Sequence, residues 1–195
     1  MLKLYYTLPN GKSFAHVSRS GTSTIAAHIL KNFYPEKYQE FLEQKEIRYQ
    51  APQQFLEERW GNRLPPDCVC MLRNPIDRLK NMLAKNPHYK EELVDAVSDV
   101  CVRSGKMKRQ LSRSISLVRF VHLAPFTNIA DNDSKIILFP NFKEACEELN
   151  MDYYAEMHEN SLNKEAEERY NNIELKERWL YALRDSIGLW EAFTK

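Results

Sequence analysis

Seven consecutive residues near the amino terminus have the side chains needed to hold an anion. Five hydroxyls, one guanidinium and one of only five glycines in the chain occur together in Ser18, Arg19, Ser20, Gly21, Thr22, Ser23 and Thr24. Gly21 permits a sharp turn and a close approach of the backbone to a ligand. Arg19 adds a forked, permanently charged donor that suits phosphate or sulfate oxygens. The segment therefore predicts a cradle for an anionic group, although Ser and Thr are also ordinary helix caps.

A second arginine, Arg73, occupies a comparable place in a later segment. It directly follows Cys68 to Leu72, an apolar run of strand length, and precedes Pro75, which begins a helical pattern. Each arginine thus lies in the turn between a predicted strand and the helix that follows it. Adjacent parallel strands would bring Arg19 and Arg73 to one edge of a sheet, where open α/β sheets bind ligands. A ligand with two separated phosphate groups would satisfy both arginines.

Two common phosphate-binding motifs are absent from the sequence. A Walker A loop needs glycine, four residues and then Gly-Lys-Ser/Thr, and the dinucleotide fingerprint needs two further glycines. The ligand is therefore expected to differ from a standard nucleoside triphosphate.

Composition predicts a globular, cytoplasmic protein. The chain has 195 residues, of which 43% are hydrophobic and 28% charged, and its net charge of +1 provides no general attraction to nucleic acid or to a membrane. No apolar run approaches the roughly 20 residues of a membrane span, and the amino terminus is too polar for a signal peptide. The oligomeric state is not indicated. Without paired metal spacing, the four cysteines are expected to be reduced: Cys68, Cys70, Cys101 and Cys146.

Helical and strand patterns alternate along the chain. They predict an α/β fold in a single domain over residues 1–195, with a parallel sheet flanked by helices on both faces. Predicted strands are Ser13–Val17, Ile47–Gln50, Cys68–Leu72 and Lys135–Phe139, the last being the clearest buried strand. Predicted helices follow Gly21, Pro35, Pro52, Pro75, Tyr89 and Asn141, and a final one runs from about Ile173 to Phe193. A basic run from Arg103 to Arg119 predicts a solvated helix face or an entrance for anionic ligands.

The two arginine segments together resemble the cofactor motifs of sulfotransferases that use 3′-phosphoadenosine 5′-phosphosulfate (PAPS). The first family motif, roughly Pro-Lys/Arg-Ser/Thr-Gly-Thr-Thr/Ser, corresponds here to the run from Ser18 to Ser23. The second, Arg-Asn/Asp-Pro-x-x-Arg-x-x-Ser after a buried strand, corresponds to Arg73 through Asn81. A looser likeness covers most of the chain and implies the P-loop-like sulfotransferase fold.

The resemblance implies roles for these residues. The 5′-phosphosulfate would be held by Arg19, Ser20, Gly21, Thr22, Ser23 and Thr24. The 3′-phosphate would be bound by Arg73 and Asn81. Arg19 would also neutralise charge on the leaving nucleotide during transfer, and no metal is required. The acceptor would be a small molecule or a carbohydrate with a hydroxyl or amine.

The sequence departs from the family at three points. Ser18 replaces a proline, Asn81 replaces a serine, and the stretch from Arg48 to Pro52 lacks the Glu or His that some branches use as a general base. His122 and His16 are the catalytic candidates in its place. Weaker candidates for the base are Glu46, Glu57 and Glu58, of which Glu57 and Glu58, on the helix predicted after Pro52, are expected to face solvent.

Two other functions remain open at the level of sequence. The chain could be a non-catalytic nucleotide-binding module of the same fold, because no base is evident. It could also be a P-loop kinase-like phosphotransferase, although the Walker lysine is missing.

Overall fold

A computed structural model describes residues 3–17, 19–47, 51–85, 130–157 and 162–195. The predicted helix after Tyr89, the basic run and His122 lie outside the described residues. The chain forms two compact units. The first comprises Met1–Leu72 and Ala130–Ser161, and the second comprises Arg73–Ile129 and Leu162–Lys195.

The first unit contains a five-stranded sheet in the order β3-β1-β2-β4-β5. Its strands are β1 (Lys3–Thr7), β2 (Ser13–Ala15), β3 (Arg59–Gly61), β4 (Val69–Leu72) and β5 (Lys135–Leu138).

The sheet is mixed, so the prediction of a purely parallel sheet is wrong. Strand β1 runs antiparallel to both β2 and β3. Its pairing with β2 follows from the short turn at Asn10 and Gly11, because a two-strand hairpin can only be antiparallel. Gly11 has φ +83°, a left-handed conformation that glycine adopts without steric cost.

The other half of the sheet is parallel, as predicted. Strand β2 pairs with β4, and β4 pairs with β5 in register from Val69–Lys135 to Leu72–Leu138. All four residues of β4 are buried. Strand β5 is less buried than β4, contrary to the prediction, because it ends the strand order and only Ile137 is fully enclosed.

Helices alternate with these strands. They are α1 (Thr22–Phe33), α2 (Pro35–Ile47), a 3₁₀ helix (Pro52–Phe55), α3 (Pro75–Lys85), α4 (Phe142–Glu148), α5 (Lys164–Asn172) and α6 (Glu177–Thr194). None of the helices in the described ranges has the length and apolar character needed to cross a bilayer.

The segment between α2 and β4 differs from its prediction. Ile47 ends α2 instead of beginning a strand, and the rest of that predicted strand lies outside the described residues. The helix predicted from Pro52 to Trp60 is a short 3₁₀ turn followed by β3. Trp60 pairs with Leu4 of β1, so pairing with the sheet outweighs the local preference of this segment for a helix.

The core of the first unit lies where α1, α4 and the sheet meet. Fully enclosed side chains include Tyr6, Phe14, Ile25, Ile29, Leu30, Met71 and Ile137. The cysteines of this unit, Cys68, Cys70 and Cys146, are buried free thiols, and Cys101 lies outside the described residues. Burial raises the pKa of the Cys146 thiol to about 12, which is typical of an unreactive cysteine.

The second unit contains α3, α5 and α6, and α3 packs against both of the others. The Arg169 Nε on α5 donates a 2.8 Å hydrogen bond to the Ala84 carbonyl on α3. The cap of α5 is Asn163, whose side chain accepts from the Ala166 amide at 2.9 Å. On α6, Trp179 and Leu183 are buried, whereas Phe193 is 45% exposed.

Candidate anion-binding site

The turn before α1 has the backbone geometry of an anion-binding loop. The Ser20 amide donates to the Val17 carbonyl at 3.2 Å, which closes a tight turn. Arg19 within that turn has φ +65°, and Gly21 after it has φ +83°. Backbone that alternates between left-handed and ordinary φ values turns successive N–H groups to one side, and such concave arrangements bind anions.

Gly21 is required by packing as well as by its turn. A Cβ added there would lie 2.5 Å from Cε1 of Phe142 and 3.0 Å from Sδ of Met71. The predicted sharp turn is present. However, the space left by the missing Cβ is taken by core side chains of α4 and β4. The groups that approach Gly21 closely are therefore protein side chains and not a ligand.

The first turn of α1 has no side-chain cap. Gly21 is the N-cap and has no side chain that could accept from the Thr22, Ser23 and Thr24 amides, and no acidic residue lies in the first turn. The N–H groups of a first helical turn and the helix dipole together give such an end a partial positive charge. The arrangement favours a negatively charged group at this helix end.

The hydroxyls of the loop divide into two kinds. The Thr22 hydroxyl donates to the Val17 carbonyl at 2.7 Å, so its proton holds the loop closed. The Ser20 hydroxyl is fully buried, at 0% exposure, and has no hydrogen-bond partner among the described residues. Since a buried polar atom usually has a partner, the Ser20 hydroxyl is suited to contact a bound group.

His16 lies between β2 and the loop, and its side chain is hydrogen-bonded to the hydroxyl of Tyr6. Its backbone amide donates to the Leu4 carbonyl at 2.9 Å, and its Nδ1 lies 2.8 Å from the Tyr6 hydroxyl. Burial and the Glu58 carboxylate together raise the pKa of Tyr6 far above its ordinary value. The phenol therefore stays protonated throughout the range in which histidines titrate.

The second arginine segment begins at the carboxyl end of β4. Strands β2 and β4 are parallel neighbours, so their carboxyl ends lie at the same edge of the sheet in the first unit, and Arg73 is the first residue of the second unit. Unlike α1, helix α3 is already capped. The Asn74 side chain accepts from the Ile76 amide at 2.9 Å and the Asp77 amide at 3.3 Å. An anion near this segment would therefore be bound by side chains rather than by helix amides.

Arg73 belongs to a polar cluster within the second unit. The Tyr170 hydroxyl on α5 donates to Oδ1 of Asp77 at 2.7 Å, and the Arg73 guanidinium is near enough to this hydroxyl to act against the rise in its pKa. Lys80 completes the cluster, with Nζ 4.9 Å from the centre of the Tyr170 ring. Burial and the Asp77 carboxylate raise the pKa of Tyr170 to about 12, against the opposing effect of Arg73. Tyr170 therefore remains a neutral hydroxyl that restrains Arg73.

The remaining motif residues of α3 are buried. Asn81 is 6% exposed and Arg78 is 3% exposed. Arg78 is thus part of the packing of α3.

Of the other general-base candidates, two are solvent-facing. Glu57 and Glu58 are exposed, as predicted, in the connection between the 3₁₀ helix and β3. Glu46 is near the end of α2, and His122 lies outside the described residues.

Helix α1 is also bound from the side by the segment Met151–Met157. Nδ1 and Nε2 of the buried His28 lie 2.9 Å from the Thr24 carbonyl and 3.2 Å from the Tyr154 carbonyl, respectively. The Asn32 side chain hydrogen-bonds both backbone groups of Asp152, at 2.9 and 3.1 Å. His28 thus links the first turn of α1 to this segment, and Asn32 links the far end of the helix to it.

The sequence interpretation missed Tyr6 and Tyr170. Tyr6 could have been found, because alternating Leu4 and Tyr6 followed by an Asn-Gly turn predicts a hairpin that places Tyr6 beside β2. Tyr170 could not, since its contact with Arg73 joins residues far apart in the chain.

Comparison with protein-family models, curated proteins and solved structures finds no match to this chain. We therefore infer its function from its own residues.

Proposed function

We propose that this protein is a sulfotransferase that moves a sulfuryl group from PAPS to a hydroxyl or amine acceptor. The observation that carries the proposal is the buried Ser20 hydroxyl, which has no partner among the described residues and lies beside the end of α1 that has no side-chain cap. A helix end without a side-chain cap, a nest-like turn and an adjacent arginine form a donor set that fits a phosphosulfate.

The residues have separate tasks in this proposal. The amides of Thr22, Ser23 and Thr24 and the Ser20 hydroxyl hold the 5′-phosphosulfate. Arg19 neutralises the charge that grows on the bridging oxygen as the S–O bond to the nucleotide breaks. Arg73, restrained by Tyr170, binds the 3′-phosphate. Asn81 assists Arg73 if its amide reaches the same phosphate.

PAPS supplies an activated sulfuryl group, so the protein's contribution is to position it and to stabilise charge. The acceptor oxygen or nitrogen forms a bond to sulfur, the bond from sulfur to the bridging oxygen of the nucleotide phosphate breaks, and the acceptor proton passes to water. None of these steps requires a metal.

A transfer assay tests the activity directly. Sulfur-labelled PAPS is incubated with the full chain and a panel of sugars, phenols and peptides, with and without a magnesium chelator. We expect transfer to at least one acceptor class that the chelator does not abolish. Magnesium-dependent transfer from ATP would indicate the kinase-like alternative, and tight nucleotide binding without transfer to any acceptor would indicate the non-catalytic module.

Substitution of Ser20 tests the observation behind the proposal. Ser20→Ala removes a buried hydroxyl that has no partner in the described chain, so the free energy of unfolding should stay the same or rise. Binding of 3′,5′-adenosine bisphosphate should weaken by about tenfold. Thr22→Val is the matched control, because it removes a hydroxyl that bonds Val17 and should lower stability. Unchanged binding in Ser20→Ala would contradict the assignment.

A further inference from the structure

We propose that Tyr6 fixes His16 in the tautomer with its proton on Nε2, so that His16 donates a hydrogen bond in the site and is not its general base. The tautomer follows from the protein alone, whereas the role in the site rests on the proposed function. Tyr6 is thus a positioning residue on a strand that neither cofactor motif includes.

The contact that supports this inference is short and enclosed. The Tyr6 hydroxyl lies 2.8 Å from Nδ1 of His16, and the two rings are tilted by 41° with their centres 6.0 Å apart. Tyr6 is only 2% exposed, so solvent does not compete for its hydroxyl. Either atom could donate in principle, and the surroundings of the phenol decide between them.

The phenol must be the donor. Among the described residues, Nδ1 of His16 is the sole hydrogen-bond partner of the Tyr6 hydroxyl. If Nδ1 carried a proton, the phenol oxygen would accept it, and the phenol O–H would be buried without an acceptor, which is unfavourable. Ionisation does not remove that conflict, because burial and the nearby Glu58 carboxylate raise the pKa of Tyr6 and keep its proton in place.

The direction of this bond determines what Nε2 can do. A neutral imidazole has one N–H, so an acceptor at Nδ1 leaves the proton on Nε2. A protonated ring also carries a proton there. Nε2 therefore has no lone pair with which to take a proton from an acceptor. Because His16 lies between β2 and the anion-binding turn, its Nε2–H is suited to donate to a bound phosphosulfate oxygen.

Nitrogen NMR of the full chain labelled in histidine tests the tautomer without any substrate. Spectra are recorded at a pH where the ring is neutral, and His16→Gln identifies the His16 signals by their loss. We expect Nδ1 at the shift of an unprotonated ring nitrogen and Nε2 at that of a protonated one. Tyr6→Phe should move the Nδ1 signal, because it removes the donor while keeping the ring that packs in the core.

Tyr5→Phe is the matched control, since Tyr5 precedes Tyr6 on β1 and points to the opposite face by strand alternation. It should leave the His16 signals in place. A proton on Nδ1 in the wild type, or an Nδ1 signal that Tyr6→Phe does not move, would overturn the inference.

Binding of 3′,5′-adenosine bisphosphate tests the donor role. The carboxamide nitrogen of His16→Gln can occupy the place of Nε2, whereas that of His16→Asn reaches only the place of Nδ1. We expect the Gln variant to bind within about threefold of the wild type and the Asn variant about tenfold more weakly. Equal binding by the two variants would refute the donor role. A wild type that binds no nucleotide would refute the proposed function while leaving the NMR result for the tautomer intact.

Discussion

At the scale of single residues, the most constrained position in the loop is Gly21. Its φ of +83° is shared by Gly11 in the β1–β2 hairpin, but the surroundings of the two glycines differ. A Cβ at Gly21 would contact Phe142 and Met71, whereas nothing lies within 4 Å of one at Gly11. The pair therefore separates the cost of a left-handed backbone from the cost of crowding.

Substitution of the two glycines should show this difference. Gly11→Ala should lower the free energy of unfolding by about 1–2 kcal/mol, the cost of placing a side chain in the left-handed region. Gly21→Ala should lower it by about 2–5 kcal/mol, because overpacking adds about 1–3 kcal/mol. Denaturant titrations measure both values. Equal losses would show that the core beside Gly21 adapts to a methyl group.

Tyr170 gives a prediction that depends on pH. Its folded-state pKa of about 12 exceeds the ordinary value of 10, so the native state keeps this proton longer than the unfolded state does. The stabilisation is fully present below about pH 10 and is lost as the pH rises through about 12. Tyr170→Phe should flatten the fall in unfolding free energy over that interval. Tyr181→Phe, on a side chain that is 55% exposed, is the control and should follow the wild type.

The same substitution should affect ligand binding if Tyr170 restrains Arg73. We expect Tyr170→Phe to weaken binding of 3′,5′-adenosine bisphosphate by about threefold to tenfold, with little effect on adenosine 5′-monophosphate, which lacks the 3′-phosphate. An equal loss for both nucleotides would indicate a general effect of the substitution on the fold.

At the scale of elements, α1 is held at its loop end by the turn and along its length by Met151–Met157. Asn32 makes the most specific contact, because its amide pairs with both the N–H and the carbonyl of Asp152. The neighbouring Lys31 reaches Glu156 at 3.4 Å, but the Glu156 side chain is exposed and that of Lys31 is only half-buried. Exposed ion pairs contribute little, so the hydrogen bonds of Asn32 should matter more.

Removal of the Asn32 side chain should therefore loosen this segment. Asn32→Ala should lower the free energy of unfolding by about 1–3 kcal/mol and speed hydrogen exchange at the Asp152 amide, which loses its acceptor. Lys31→Ala should cost less than about 1 kcal/mol and leave that exchange rate unchanged. If the Asp152 amide exchanges equally in both variants, another group holds the segment.

Elements with strong local patterns could be predicted from the sequence. The apolar run of β4, the proline at the start of α3 and the Gly turn before α1 each determine structure within a few residues, and all three are present. Elements stabilised by distant contacts could not be predicted in this way. Strand β3 forms because Trp60 pairs with Leu4 of β1, and its local sequence resembles a helix end. Helix α5 has a cap at Asn163, but no helix was predicted for its residues.

The candidate site shows the same division. The turn and the start of α1 are formed by consecutive residues, Arg19 to Thr24, so both could be predicted from the sequence. The partners of His16 and Arg73 are not local, because Tyr6 lies across a hairpin and Tyr170 comes from a distant helix. The sequence also could not reveal that Thr22 uses its hydroxyl proton to close the loop.

At the scale of the whole molecule, the parallel pairing of β2 with β4 is the feature on which the proposed function depends. It places the carboxyl ends of both strands at one edge of the sheet, although β1 and β3 make the rest of the sheet antiparallel. In the proposed function, one nucleotide with phosphates at both ends depends on Arg19 and on Arg73, each for a different phosphate.

Calorimetry with 3′,5′-adenosine bisphosphate and adenosine 5′-monophosphate tests this dependence most directly. The samples are the wild type, Arg19→Ala, Arg73→Ala and, as a control, Arg59→Ala on the exposed strand β3. We predict that Arg19→Ala weakens binding of both nucleotides by more than about tenfold, that Arg73→Ala does so for the bisphosphate alone, and that Arg59→Ala has no effect. Wild-type protein that fails to bind the bisphosphate, or arginine variants that bind it as tightly as the wild type, would contradict the account.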